Sequence, residues 1–177
     1  FTSAGARSLI ALFTPDGPGF LPSTSAAEPH QVNATSPTVT TITSDAPDPS
    51  VVGQSVPVQY SVTADFGTPT GSVTVTAGAI SCTATVAAGQ CSLTFTAVGV
   101  RPLTATFVPD DAAFDGSTFV SELHQVNPAD TATTITSDAP DPSALGQGVV
   151  VGYEVAVQAP GAGNPQMNSL TPRSSPC

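Results

Sequence analysis

The chain has 177 residues, 13 acidic and 3 basic side chains, a formal net charge of −10, 40% hydrophobic residues, and no tryptophan. With cations only at Arg7, Arg101 and Arg173 it cannot neutralise a phosphate backbone, which excludes nucleic acid binding, and no apolar run reaches the roughly 18–20 residues of a membrane span. Abundant Thr and Val with few helix formers disfavour a helical bundle, leaving a turn-rich all-β protein of one or two domains.

An internal repeat organises the chain. Residues 1–33 return as 95–127 with 17 of 33 positions identical, and 38–65 return as 131–158 with 18 of 28 identical. The second match contains the unbroken string TTITSDAPDPS, at 40–50 and 133–143. A unit of about 94 residues follows from these offsets. The expected organisation is the late part of one unit at 1–33, a whole unit at 34–127, the early part of another at 128–165, and an irregular tail at 166–177. Residue 1 falls inside a unit, so the chain reads as a piece of something longer. The tail lacks the strand period its repeat position calls for, as a truncated or frame-disturbed end would.

Period-2 alternation marks the strands of the whole unit in order. Residues 38–43 form a short Thr-rich strand, followed by the turn-forming SDAPDPS loop. Residues 55–64 place Val56, Val58, Tyr60 and Val62 on one face, and Tyr153 takes the same core position in the next copy. Pro57 removes a ladder donor, so pairing there should be interrupted or at an edge. Strands follow at 72–77, 81–86, 90–97, 100–108 and 117–126, with turns at 67–71 and 87–89 and a loop at 109–116. Seven short strands in about 94 residues suit a two-sheet sandwich.

The motifs TTITSDAPDPSVVGQSVPVQYSVTA, TPTGSVTV, SCTATVAAGQCSLT, RPLTATFVPD and FDGST resemble the bacterial Ig-like domain repeats of large secreted and cell-surface proteins. The resemblance covers the whole unit and both partial ones and fails only in the last dozen residues. It implies an all-β, immunoglobulin-like sandwich used as a tandem structural module, with neighbouring repeats as partners and no catalytic residues or cofactor. The chain departs from antibody-type domains in lacking the Trp of the third strand and a Cys pair joining the second and sixth. Phe107 stands where the family often shows Tyr.

Cys82 and Cys91 bracket the segment CTATVAAGQC. If its turn centres between Val86 and Ala87, the two cysteines lie directly opposite in a hairpin and can form a disulfide. The other readings are two buried thiols or, with no second Cys or His pair nearby, a metal site. Cys177 has no repeat counterpart. Zero lysines exclude the Lys–Asn isopeptide cross-links of some pilus Ig-like domains. A disulfide would place the chain in an oxidising, extracellular or cell-surface setting.

No G-x-S-x-G is present, and neither histidine stands in a catalytic signature. Glu122-x-His124 and its repeat Glu28-x-His30 put a carboxylate and an imidazole on one strand face, but two ligands are too few for a metal, and solvent-facing residues near the unit's exit are expected. The acidic loops are the better candidates. Asp110, Asp111 and Asp115 should lie at one pole, and Asp45 with Asp48 (repeated as Asp138 and Asp141) at the other, facing Asp130 of the next unit. Such oxygens could hold Ca²⁺ at a junction, while solvated turn chemistry accounts for the same residues. Arg101, matched by Arg7, is expected to pair with an acidic loop. The sequon at Asn33 is absent from the second copy and is read as coincidence.

The function expected is a stalk or spacer segment of a bacterial surface protein. The rival is an adhesive or carbohydrate-binding module using polar-end loops, with Phe66, Phe114 and Phe119 as contacts and a host or glycan ligand. The flanking partial units should expose sheet edges, making head-to-tail association between molecules an expectation.

Overall fold

The computed structural model describes residues 4–165, and nearly all of its regular structure is β. The expectations for Cys177 and the tail lie outside the described residues. The N-terminal piece forms two small antiparallel sheets, pairing β1 (Gly5–Leu9) with β4 (Glu28–Val32) and β2 (Leu12–Phe13) with β3 (Ser23–Thr24). The middle of the chain contains β5 (Thr38–Ser44), β6 (Ser50–Val51), β7 (Ser55–Ala64), β8 (Gly71–Ala77), β9 (Ile80–Thr85), β10 (Gln90–Thr94), β11 (Gly99–Pro109) and β12 (Ser117–Asn127). A last antiparallel pair, β13 (Thr131–Ala139) with β14 (Val150–Val157), follows these strands in the chain.

The eight central strands make two facing sheets, one in the order β10-β7-β5 and one in the order β6-β12-β11-β8-β9. Alternation decides what lies between them. Val56, Val58, Tyr60 and Ile42 from the smaller sheet meet Val73, Val75, Leu103, Ala105, Phe107 and Val126 from the larger, with Leu93 and Phe95 closing the core. Each such aliphatic or aromatic side chain contributes roughly 1.5–3 kcal/mol on burial. Tyr60 keeps its hydroxyl satisfied by donating to the Thr85 carbonyl at 2.9 Å. Pro57 fits the sheet because β7 is paired on one side only at that point. It faces Ser92 of β10, and pairing with β5 stops at Gln59.

Seven strands are expected from the sequence, and the eighth is β6, two residues at the end of the SDAPDPS loop. β5 lies in the smaller sheet, and the chain then crosses to the larger one, where β6 runs parallel to the end of β12. The chain therefore enters beside the start of β12 and leaves at its end, so entry and exit lie at opposite poles. The entering linker is sewn down there. Ser36 N donates to the Ala113 carbonyl at 2.7 Å, Asp115 N to Ser36 O at 3.0 Å, and the Thr38 hydroxyl to Asp115 O at 2.7 Å.

The segment 82–91 differs from the expected hairpin. β9 pairs with β8 and β10 pairs with β7, in different sheets. Between them a 3₁₀ turn, Val86–Ala88, is capped by the Thr85 hydroxyl and ended by Gly89 at φ 66°. This tight left-handed turn carries the chain from one sheet to the other instead of folding it back on itself. The Cys82–Cys91 disulfide forms, with a Cα–Cα distance of 5.8 Å, but it joins the facing edges of the two sheets rather than two rungs of a hairpin.

Tyr153 also departs from expectation. It and its neighbours Val149 and Val151 are exposed, because β13 and β14 form a two-stranded sheet and no described residue buries that face.

Candidate functional site

Opposite the disulfide, where β5 crosses to β6, a polar cluster closes the other edge of the sandwich. His124 on β12 is fully buried at 0% exposure. Its Nδ1 lies 2.9 Å from Asp45 Oδ2 and 3.7 Å from Asp48 Oδ1, and its Nε2 lies 2.7 Å from Ser50 Oγ. A carboxylate only accepts, so Nδ1 carries a proton, and a neutral ring then takes the Ser50 hydroxyl proton at Nε2. The imidazole stacks on Phe95 with ring centroids 4.9 Å apart and planes 19° apart. Asp48 Oδ1 also accepts the backbone N–H of Gln125 at 2.8 Å. Every polar atom of this buried histidine is satisfied, which makes the group stabilising rather than costly.

The sequence places His124 at the surface, and the structure reverses this for a definite reason. Strict alternation from Ser117 through Phe119 puts odd-numbered residues inward and His124 outward. The β11–β12 register slips between Leu103 and Thr104, and Ser121, at φ 74°, is the extra residue of the bulge. One inserted residue moves every later side chain to the other face, so Glu122, His124 and Val126 turn inward. Ser50, also fully buried, is a functional residue that pattern reading misses. A signal was present: both histidines of the chain and the Asp-x-x-Asp-x-Ser loop recur at repeat-equivalent positions, namely His30, Asp138, Asp141 and Ser143.

The Ser50–His124–Asp45 distances are those of an acyl-transfer triad. However, Ser50 Oγ belongs to a residue with 0% exposure, packed under the crossing loop, so no substrate carbonyl reaches it. As metal ligands, Asp45, Asp48 and His124 offer atoms within 4.8 Å of one another. Two carboxylates with an imidazole are a poor match to the six to eight oxygens calcium takes, and using Nδ1 would sacrifice the Asp45 bond.

The other acidic candidates stand apart from this cluster. Asp110 accepts from the Thr70 hydroxyl, Asp111 from the Ala113 N–H at 2.8 Å, and Asp115 from the Thr35 hydroxyl at 2.6 Å. These bonds shape the entry-pole loop and hold the linker to it. The Asp130 carbonyl accepts the Gln158 N–H at 2.7 Å, joining the residue before β13 to the one after β14. Arg101 does not reach an acidic loop. Its Nη2 donates to the carbonyls of Ala97 and Val98, at 2.9 and 3.2 Å, because the turn just before its strand lies closer than any carboxylate. Phe66 is exposed and Phe114 half-buried along an entry-pole cleft of about 600 Å³, while Phe119 packs against the core.

A family model described as Bacterial Ig-like domain (group 3) matches residues 42–127, the span from the Ile42 core position to the end of β12. A search among curated proteins finds no match to the chain. The matched span contains both facing sheets apart from the first four residues of β5, with the disulfide at one edge and the polar cluster at the other. Over residues 42–127 this central unit is similar to the bacterial Ig-like domains of group 3.

Proposed function

We propose that the chain is a non-catalytic spacer segment of a bacterial secreted or cell-surface protein, in which Ig-like units follow one another and hold a fixed length. The observation that carries this reading is the closure of both sandwich edges. A disulfide locks β9 to β10, and the Asp45–His124–Ser50 cluster locks the β5–β6 crossing to the exit strand. Both features spend polar and covalent chemistry on shape, with the potential nucleophile sealed inside. Strands of up to 11 residues at roughly 3.3 Å each give a unit of about 30–35 Å between entry and exit. The disulfide fits an oxidising, extracellular setting. No helix among the described residues is long and apolar enough to cross a membrane.

A second reading, adhesion through a polar-end loop, is favoured by one feature. Phe66 is 76% exposed beside Phe114 at the entry-pole cleft, and aromatic faces are what sugar ligands stack on. Screening the chain against glycans and extracellular-matrix proteins separates the two. The spacer reading expects no binding that Phe66→Ala removes. Reproducible binding lost in that variant would replace it with the adhesive one.

A further inference from the structure

The turn that follows β6 is built with unusual care for a surface turn. Val51 N–H donates to the Gln54 side-chain carbonyl at 3.0 Å, and Gln54 N–H returns to Val51 O at 3.0 Å. Val52 N–H reaches the Asn127 carbonyl at 3.0 Å, and Gly53 N–H reaches Phe95 O at 2.8 Å. The turn is thus pinned both to the exit strand and to the core strand bearing the ring that stacks on His124. One acceptor points outward from it: the Val52 carbonyl takes the N–H of Ala162, in the loop after β14 of the following repeat, at 3.2 Å. Gly53, at φ +81°, allows this approach. A Cβ there would overlap the Ala162 carbonyl oxygen. The next repeat's Gly161 also lies close to the linker, where a Cβ would meet that of Ala129 at 2.5 Å.

The same turn recurs one repeat later. Ala144 N–H donates to the Gln147 side chain at 2.9 Å, Gln147 N–H returns to Ala144 O at 3.0 Å, and Gly146 takes φ +83°. There a Cβ would meet nothing within 4 Å. The turn therefore adopts its shape without a neighbour packed on its glycine, so it is formed in advance of docking.

We propose that the turn of residues 51–54 is a preformed seat for the following copy of the repeat. The main chain of that copy's loop at 158–165 docks on Gly53 and fixes the angle between successive units. This deepens the spacer reading and rests on it. A linker alone, such as residues 128–130, would set spacing but leave orientation free. The direct contact turns a string of beads into a stiff rod.

The test uses the whole 177-residue chain and NMR residual dipolar couplings. In the parent protein, one alignment tensor should fit both the central unit and the β13–β14 hairpin. Gly53→Val should split it into two tensors, with loss of order in the hairpin, whereas Gly146→Val, which has the same φ cost but no neighbour, should leave one. Ala162→Pro removes the donor N–H from outside the central unit and should split the tensor even if Gly53→Val compromises folding. Two tensors in the parent chain, or a single tensor surviving in Ala162→Pro, would overturn the seat. Ligand binding in the glycan and matrix screen would instead overturn the spacer reading and leave the tensor result standing.

Discussion

Replacing His124 with Leu tests how much the sandwich depends on its polar edge. The two side chains are close in volume, so little cavity opens, and the cost falls on the partners left behind. Ser50 Oγ, at 0% exposure, loses its bond to His124 Nε2 and remains buried, a penalty of about 1–3 kcal/mol. Loss of the stack on Phe95 adds about 0.5–1.5 kcal/mol. Asp45, whose side chain is 13% exposed, recovers part of its loss from water. The sum is about 1.5–4.5 kcal/mol, a large share of the roughly 5–15 kcal/mol that holds a small domain together. Urea unfolding followed by far-UV circular dichroism and by exchange of core amides should show a lower midpoint with an unchanged slope. At about 4–8 °C per kcal/mol for a domain of this size, the thermal midpoint should fall by about 6–36 °C. His30→Leu, at the repeat-equivalent exposed position, should leave the central unit's exchange unchanged. A loss below about 1 kcal/mol for His124→Leu would refute the claim that the cluster closes the sandwich edge.

Other outcomes follow from the same geometry. Reducing the Cys82–Cys91 bridge, which closes a loop of sequence separation 9, should cost about 2.5–3 kcal/mol, seen as a lower urea midpoint in reductant; no change would mean that the sheet edges hold without it. Burial raises the Tyr60 pKa, so its neutral form is favoured in the folded state. Stability should therefore be full below the ordinary tyrosine pKa of 10.0 and decline as pH rises above it. Tyr60→Phe should remove that decline in alkaline melts and, by losing the bond to Thr85 O, cost about 0.5–1.5 kcal/mol at neutral pH. The sheets β1–β4 and β13–β14 expose Leu9, Ile135, Val151 and Tyr153, whose central counterparts are buried, so the chain should self-associate with concentration in sedimentation; a monomer at every concentration would contradict this.

Much of the fold was legible in the sequence because alternation is a local signal. The strand 55–64 is read residue for residue, and its inward valines and Tyr60 are the ones buried. Three features were not legible, each for a physical reason. The bulge at Ser121 inverts the facing of His124, and nothing in the residue types around it announces an inserted position. The two residues of β6 are too short to show a period, and their partner lies at Val126 and Asn127, far along the chain. The sheet change at Val86–Ala88 looks locally like a hairpin turn, since tight reversals and crossings use the same small residues. The acidic loops stand out in the sequence as turn-forming Asp clusters, yet their partners are hydroxyls, amides and a histidine that only the tertiary fold brings near.

The central claim is that the unit is a spacer that keeps its length, with both edges of its sandwich closed. Stretching the chain between its ends in a single-molecule force measurement tests this most directly. Because the chain enters beside the start of β12 and leaves at its end, where β6 pairs parallel to it, tension should load the β6–β12 bonds and the His124 cluster together. The account predicts one discrete unfolding event for the central unit, at a force lowered by His124→Leu, and an added extension of roughly 25 Å when the disulfide of sequence separation 9, which spans 5.8 Å between Cα atoms, is reduced. A unit that lengthens gradually, or one whose unfolding force is unchanged in His124→Leu, would contradict it.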